Sequence, residues 1–252
     1  MKNIKSIEYD LFKQFAKIRE KGWIETKRKG PTGVGYTLEK LLNIEENSLP
    51  IADYCGIEIK TMRILSKKTI HLFNAEPDGD FLFPHDRIIA NVGYPSKKNT
   101  NYKVFLSAAY GNDYTSIGYS RKVKLYVNRE KEKIDFLVTD RFYRKIKMDV
   151  SWSFSLIKAK VENKINELAL IEAEHKFIDG IEHFYYKRIE FYKIKSFDTL
   201  LSLIEDGTIK VCFKLSAYTS GIKKGKLDNH GTDFSIKKED IEKLFTKINI
   251  FN

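Results

Sequence analysis

Asp53, Glu58 and Lys60 are the residues whose types and spacing could do chemistry: Asp, four residues, Glu, one residue, Lys. In a strand, Glu58 and Lys60 point to one face while Ile59 packs on the other, because side chains alternate with a period of two. Asp53, at the entrance to that strand, can swing to the same side. Two carboxylates a few ångströms apart make a hard oxygen site for Mg²⁺, which takes carboxylates, water and phosphate oxygens. Such a metal would activate its bound water and neutralise charge developing on a scissile phosphate. The Lys60 ammonium would hold the attacking water or the phosphate.

The pattern is short, and an acidic residue, any residue, then Lys recurs at Glu25–Lys27, Glu162–Lys164 and Glu174–Lys176. Glu20 even stands at the matching upstream spacing before Glu25. Only the Glu58 copy has Asp in the first position and an apolar residue between Glu and Lys, inside an alternating run flanked by apolar residues. The rival reading is a solvated charged strand face, and spacing alone leaves both open.

The elements around this strand set the fold class. Ile7, Leu11, Phe15 and Ile18 fall at helical intervals over residues 7–20, and Leu38, Leu41, Leu42 and Ile44 do so in TLEKLLNIEEN. Between them lies the glycine-rich turn KRKGPTGVGYT. After the IEIK strand come runs rich in aromatic and β-branched residues, TIHLF, DFLF, RIIANVGY, YKVFLSAAY and KVKLYV, which predict a strand-rich middle. Residues 152–168 return to helical spacing, and Asp179-Gly180 predicts a hairpin turn. Ser196–Asp206 predicts a short helix stopped at Gly207. TIKVCFKLSAY reads as a strand, followed by a polar loop through DNHGTDF and a last helix from Lys237 to Lys247. The expected class is α/β: a mixed sheet flanked by helices. The length of 252 residues suits two lobes around a cleft, divided into residues 1–150 and 151–252.

Composition narrows the partner. Lys and Arg number 45 against 34 Asp and Glu, a net charge of +11, which favours a polyanion; the same balance can also serve solubility alone. The opening residues lack an apolar export segment, no stretch approaches a bilayer span, and the two cysteines fit a reducing compartment, so the expected location is the cytoplasm. His71, His85, His175 and His183 lack metal-ligand spacing and read as structural or surface residues. Trp23 and Trp152 read as core residues.

The stretch GPTGVGYTLEKLLNIEENSLPIADYCGIEIK resembles, in order and spacing, the opening of the MvaI/BcnI restriction endonucleases, relatives of the nicking enzyme MutH. They share a Thr-Gly-x-Gly turn, a Thr-Leu-Glu-x-Leu-Leu helix and the acidic residues and Lys of the PD-(D/E)xK nuclease core. The likeness continues in TIHLFNAEP, in SWSFSLIKAKVENKINELALIEAEHKF and in DNHGTDFSI. It implies a restriction-endonuclease-like fold, with Asp53 and Glu58 as Mg²⁺ ligands, Lys60 as the catalytic lysine and Glu39 as an accessory carboxylate. Pro50 stands three residues before Asp53, where the motif's name would put it directly before.

The expected activity is that of a type II enzyme hydrolysing phosphodiester bonds of double-stranded DNA at a short site and leaving a 5′-phosphate. It would act as a monomer, with a cognate DNA methyltransferase protecting the host. The alternatives are a MutH-like nicking enzyme and a DNA-binding protein without cleavage. Lys27, Arg28, Lys29 and Thr32 at the glycine turn are candidate phosphate contacts, with a solvated basic loop as the rival reading. Asp228, Asn229, His230 and Asp233 are candidate readers of base edges. The family's segment more often reads His-Asp-His-Gly-Thr-Gly-Phe-Arg, so Asn229, Asp233 and Ser235 depart from it and imply a different site read.

Overall fold

The computed structural model describes residues 4–45, 51–64, 69–79 and 83–249; Pro50 and most of the DFLF run lie outside them. In chain order the longer elements are α1 (Ile4–Glu20), α2 (Gly33–Leu41), β1 (Ile57–Arg63), β2 (Thr69–Asn74) and α3 (Pro84–Val92). Next come β3 (Lys103–Ala109), β4 (Arg121–Asn128), β5 (Lys133–Asp140), α4 (Phe154–Lys160), β6 (Glu167–Ile178) and β7 (Ile181–Ile194). The chain closes with α5 (Phe197–Glu205), β8 (Ile209–Ala217), β9 (Leu227–Lys237), α6 (Ile241–Leu244) and β10 (Phe245–Ile248). The mixed α/β class follows the sequence reading. Among the described residues, no helix is long and apolar enough to cross a membrane.

The chain divides into two compact units, and not at a single point near residue 150. Unit 1 takes Met1–Lys68, Val161–Lys195 and Phe245–Asn252; unit 2 takes Thr69–Lys160 and Ser196–Leu244. The cause lies in strand pairing. In unit 1, β1 runs parallel to β6, with Glu58 opposite Leu168 and Lys60 opposite Leu170. The hairpin β6–β7 is antiparallel and turns at Asp179-Gly180, both at positive φ, as that dipeptide predicts. β10 and the short strand Ile24–Glu25 add antiparallel pairs to β7, so the sheet is mixed.

The apolar stripe of α1, Leu11, Phe15 and Ile18, and the α2 residues Val34 and Leu38 pack on one face of this sheet. That face presents Ile57, Ile59, Ala169, Ile171 and Ala173. Period-two alternation then leaves Glu58 and Lys60 on the opposite face.

Unit 2 holds two sheets. One runs β2, β9, β8, β3 and the short strand Tyr94–Pro95; the other is built on β4 and β5 with three short strands. Their apolar faces supply Phe105, Phe136, Phe213, Phe234 and Trp152, whose rings meet at centroid distances of 4.8–6.2 Å. Trp152 is fully buried and its Nε1 donates to the Ala75 carbonyl at 2.8 Å, so the one polar atom of the ring is satisfied.

Four segments differ from their sequence reading. RIIANVGY contributes to α3 rather than a strand: Pro84 sits in the first turn, where its missing N–H costs nothing, and Ile88 and Val92 bury one turn apart. Residues 152–168 are not one helix but a short strand, α4, a π-helical turn at Val161–Ile165 and the start of β6. The DNHGTDF segment is strand β9, because β8 and β2 pair with it on both sides. The last helix is only α6, preceded by a 3₁₀ turn and followed by β10, whose Phe245 packs against Tyr192 of β7.

Candidate active site

Asp53, Glu58 and Lys60 come together at the start of β1. Tyr54 and Ile57 exchange backbone hydrogen bonds at 2.9 and 3.0 Å, while Cys55 and Gly56 adopt φ of 47° and 97°. This tight reversal, whose left-handed backbone suits Gly56, carries Asp53 back beside the strand. There Asp53 Oδ2 accepts from the Ile59 N–H at 3.0 Å, on the strand edge that β6 does not cover.

Glu58 is 2% exposed, and the Lys60 Nζ lies 2.6 Å from its Oε1. A second ammonium, that of Lys164, stands 3.4 Å from the same oxygen. Glu58 Oε2 is buried without a hydrogen-bond partner. Burial pushes the Glu58 carboxyl above the usual carboxylate range; Lys60 opposes this, the Asp53 charge adds to it, and Lys164 opposes it. Lys164 belongs to the Glu162–Lys164 pair, one of the recurrences that the sequence pattern could not tell from background. Only the π-helical turn brings it here.

These residues fit a hard divalent cation. Among the described residues there is no group of three or more His, Cys, Asp and Glu side chains that could hold a metal by themselves. Mg²⁺ needs no such cage, because it is commonly held by one or two carboxylates plus water and phosphate oxygens. The orphaned Oε2 of Glu58 is a buried acceptor that a cation could meet, and Asp53 adds a second carboxylate.

Glu39 has a different setting. A Cβ on Gly35 would meet Glu39 Oε1 at 3.7 Å and Thr61 Oγ1 at 3.1 Å. Thr61 lies on the strand face opposite Glu58 and Lys60, so Glu39 stands on the α2 side of the sheet. With Arg28, Tyr36 and Thr61 it lines a cavity of about 310 Å³.

The basic turn is held from below. Thr26 Oγ1 donates to the Arg28 carbonyl at 2.7 Å, the Lys27 N–H donates to Thr37 Oγ1 at 2.9 Å, and the Arg28 guanidinium lies 3.7 Å over the Tyr36 ring. Arg63, itself paired with Glu182 at 2.7 Å, donates to the Pro31 and Gly30 carbonyls. Gly33 is obligatory, because a Cβ there would stand 2.3 Å from the Arg28 carbonyl oxygen. Lys27, Lys29 and Thr32 remain exposed, and the turn borders a cavity of about 750 Å³.

In unit 2 the four candidate base readers separate. Asn229 and His230 are exposed on β9, and His230 Nε2 lies 3.0 Å from Asp228 Oδ2. This pair borders a cavity of about 720 Å³ that also contains Tyr94, Tyr102 and Tyr218. Asp233, by contrast, is 1% exposed. Its Oδ2 accepts from Ser235 Oγ at 2.9 Å, pairs with His71 Nδ1, and lies 3.4 Å from Lys214 Nζ.

Burial opposes ionisation of Asp233, yet His71, Lys214 and Ser235 together hold its carboxyl below the usual range. His71 is 59% exposed at the side chain and Lys214 is 42% exposed. They are therefore the outward members of this cluster. The sequence reading missed both, since they join Asp233 only through the pairing of β2, β9 and β8.

The MvaI/BcnI restriction endonuclease family model matches residues 12–245. A solved structure described as a restriction endonuclease MvaI–cognate DNA substrate complex is similar at 29% identity, with 99% of both chains covered and a TM-score of 0.87. Restriction endonuclease MvaI in the absence of DNA is similar at 27% identity, covering 98% of this chain and 99% of that one, with a TM-score of 0.61. No curated protein matches the sequence.

Proposed function

The chain belongs to the MvaI/BcnI restriction endonuclease family, and on that premise we propose that Asp53, Glu58 and Lys60 cut double-stranded DNA with Mg²⁺, leaving a 5′-phosphate. A restriction endonuclease is a site-specific DNA nuclease, and the similarity over 99% of both chains to an MvaI–cognate DNA complex supports a DNA substrate here too. The observation that carries the active-site assignment is the buried Glu58, with one oxygen on Lys60 and the other unpartnered.

Asp53 and Glu58 would hold the metal, which supplies an activated water and charge neutralisation at the scissile phosphate. Lys60 keeps Glu58 oriented and presents an ammonium to the water or the phosphate oxygen. Glu39, which the resemblance offers as an accessory carboxylate, stands beside Thr61 on the α2 side of the sheet, away from the face of Glu58 and Lys60, and has no part in holding the metal. Lys27, Arg28, Lys29 and Thr32 bind backbone phosphates without reading sequence, and their loop needs no rearrangement because Thr26, Thr37 and Arg63 already brace it.

Unit 2 reads the site. Asp228, Asn229 and His230 offer donors and acceptors to base edges, while Asp233 serves by fixing His71 and Lys214. An ammonium at Lys214 matches the guanine O6 and N7 acceptors. The enzyme acts as a monomer and is paired in the cell with a DNA methyltransferase of the same specificity.

Digestion of unmethylated phage and plasmid DNA by the purified protein, with Mg²⁺ and with EDTA, tests this reading. Discrete Mg²⁺-dependent fragments sharing one short end sequence and carrying 5′-phosphates are expected. Persistent nicked circles would point to a MutH-like enzyme, and an absence of cutting on many DNAs would overturn the assignment.

A further inference from the structure

Two ammonium groups share one oxygen of a buried carboxylate. Lys60 is fixed there by its own strand, two residues from Glu58 and on the same face, at 2.6 Å. Lys164 comes from another element and makes the longer contact, 3.4 Å. Its π-helical turn, Val161–Ile165, is a rare conformation that concentrates at functional sites. The turn is also tied to the site's other carboxylate: the Asn163 carbonyl accepts from the Ala52 N–H at 3.0 Å, next to Asp53.

The charges give this contact a role. Asp53 and Glu58 carry two negative charges, which Lys60 and Lys164 balance. A divalent cation between the carboxylates would leave the cluster with two positive charges in excess, at separations where Coulomb repulsion is large. The cation that can yield is Lys164, which is not anchored on β1.

We infer that Lys164 is a positioning residue of the cleavage site, holding Glu58 in place while no metal is bound and competing with the metal for it. This rests on the proposal that Asp53 and Glu58 hold the metal. A neutral side chain at residue 164 removes the competitor, whereas an arginine keeps it.

The test is Mn²⁺ binding to the full-length protein without DNA, followed by the electron paramagnetic resonance signal of the free ion. Four variants are compared with the parent: Lys164→Met, Lys164→Gln, Lys164→Arg and Glu58→Gln. Both neutral variants are expected to bind Mn²⁺ about fivefold or more tighter than the parent, the size of effect expected from removing one charge beside a dication. Lys164→Arg should restore parent affinity, and Glu58→Gln should abolish binding. Unchanged or weaker binding in the neutral variants, with Glu58→Gln still abolishing it, overturns the role of Lys164 and leaves the metal site standing. Binding that survives Glu58→Gln overturns the metal-site reading itself.

Discussion

Asp53 accepts the Ile59 N–H at 3.0 Å, so the residue assigned to the metal also ties off the open edge of the strand that carries its partners. The two duties separate by substitution. Asp53→Asn keeps an acceptor for Ile59 and loses the charge. It should melt close to the parent protein while single-turnover cleavage drops by roughly 100-fold or more, the scale of losing an electrostatic group at a reacting phosphate. Asp53→Ala should lose cleavage and also about 1 kcal/mol of stability from the vacated hydrogen bond. Cleavage near the parental rate in Asp53→Asn would remove Asp53 from the metal site.

Lys60→Ala should abolish cleavage but leave sequence-specific DNA binding largely intact, since unit 2 is untouched. Gel-shift titration in EDTA beside a cleavage assay separates the two. Full activity in this variant would sink the assignment.

Asp233 makes stability depend on pH in a defined direction. Its carboxyl is held below its unfolded value, so the folded state gains stability that is complete above the unfolded carboxylate range and fades as the pH falls through the folded value. Asp233→Asn should therefore be less stable near neutral pH and lose less on acidification. Parallel melting curves against pH for parent and variant would show the two lines converging in acid. Parallel lines would mean that the His71–Asp233–Lys214 cluster does not contribute through charge.

Lys214→Ala and His230→Ala address specificity. Each should cost about 1–3 kcal/mol of discrimination between the cleaved site and single-mismatch duplexes, whereas Lys27→Ala should weaken binding evenly across sequences and lower its salt dependence. A Lys214→Ala enzyme with parental discrimination would take that residue out of the readout.

What the sequence made legible was local. The stripe of α1, the alternation Ile57-Glu58-Ile59-Lys60, the Asp179-Gly180 turn and the helix stop at Gly207, whose φ is 78°, each follow from neighbours within a few positions. The misread segments are those whose conformation is set from afar. RIIANVGY has enough β-branched residues to pass for a strand, and burial of Ile88 with Val92 decides for a helix. DNHGTDF is polar enough to pass for a loop, and its pairing with β8 and β2 decides for a strand. Lys164, His71 and Lys214 were hidden for the same reason, since each meets its carboxylate across an interval of chain that no local pattern spans.

The pairing of β1 with β6 has a temporal consequence. Glu58 and Lys60 face Leu168 and Leu170, more than a hundred residues downstream, with all of unit 2's first segment translated in between. At ordinary synthesis rates of roughly 5–20 residues per second, the nascent strand waits for seconds without its neighbour. A ribosome-bound chain lacks the sheet that aims Asp53, Glu58 and Lys60 until the β6–β7 hairpin has emerged. At that point β2, β3 and the strand Tyr94–Pro95 of unit 2 have been made, while β8 and β9, which carry Lys214, Asn229 and His230, have not. On the proposed assignment, the last part of synthesis is an interval in which the cutting residues are aligned before the reading residues exist.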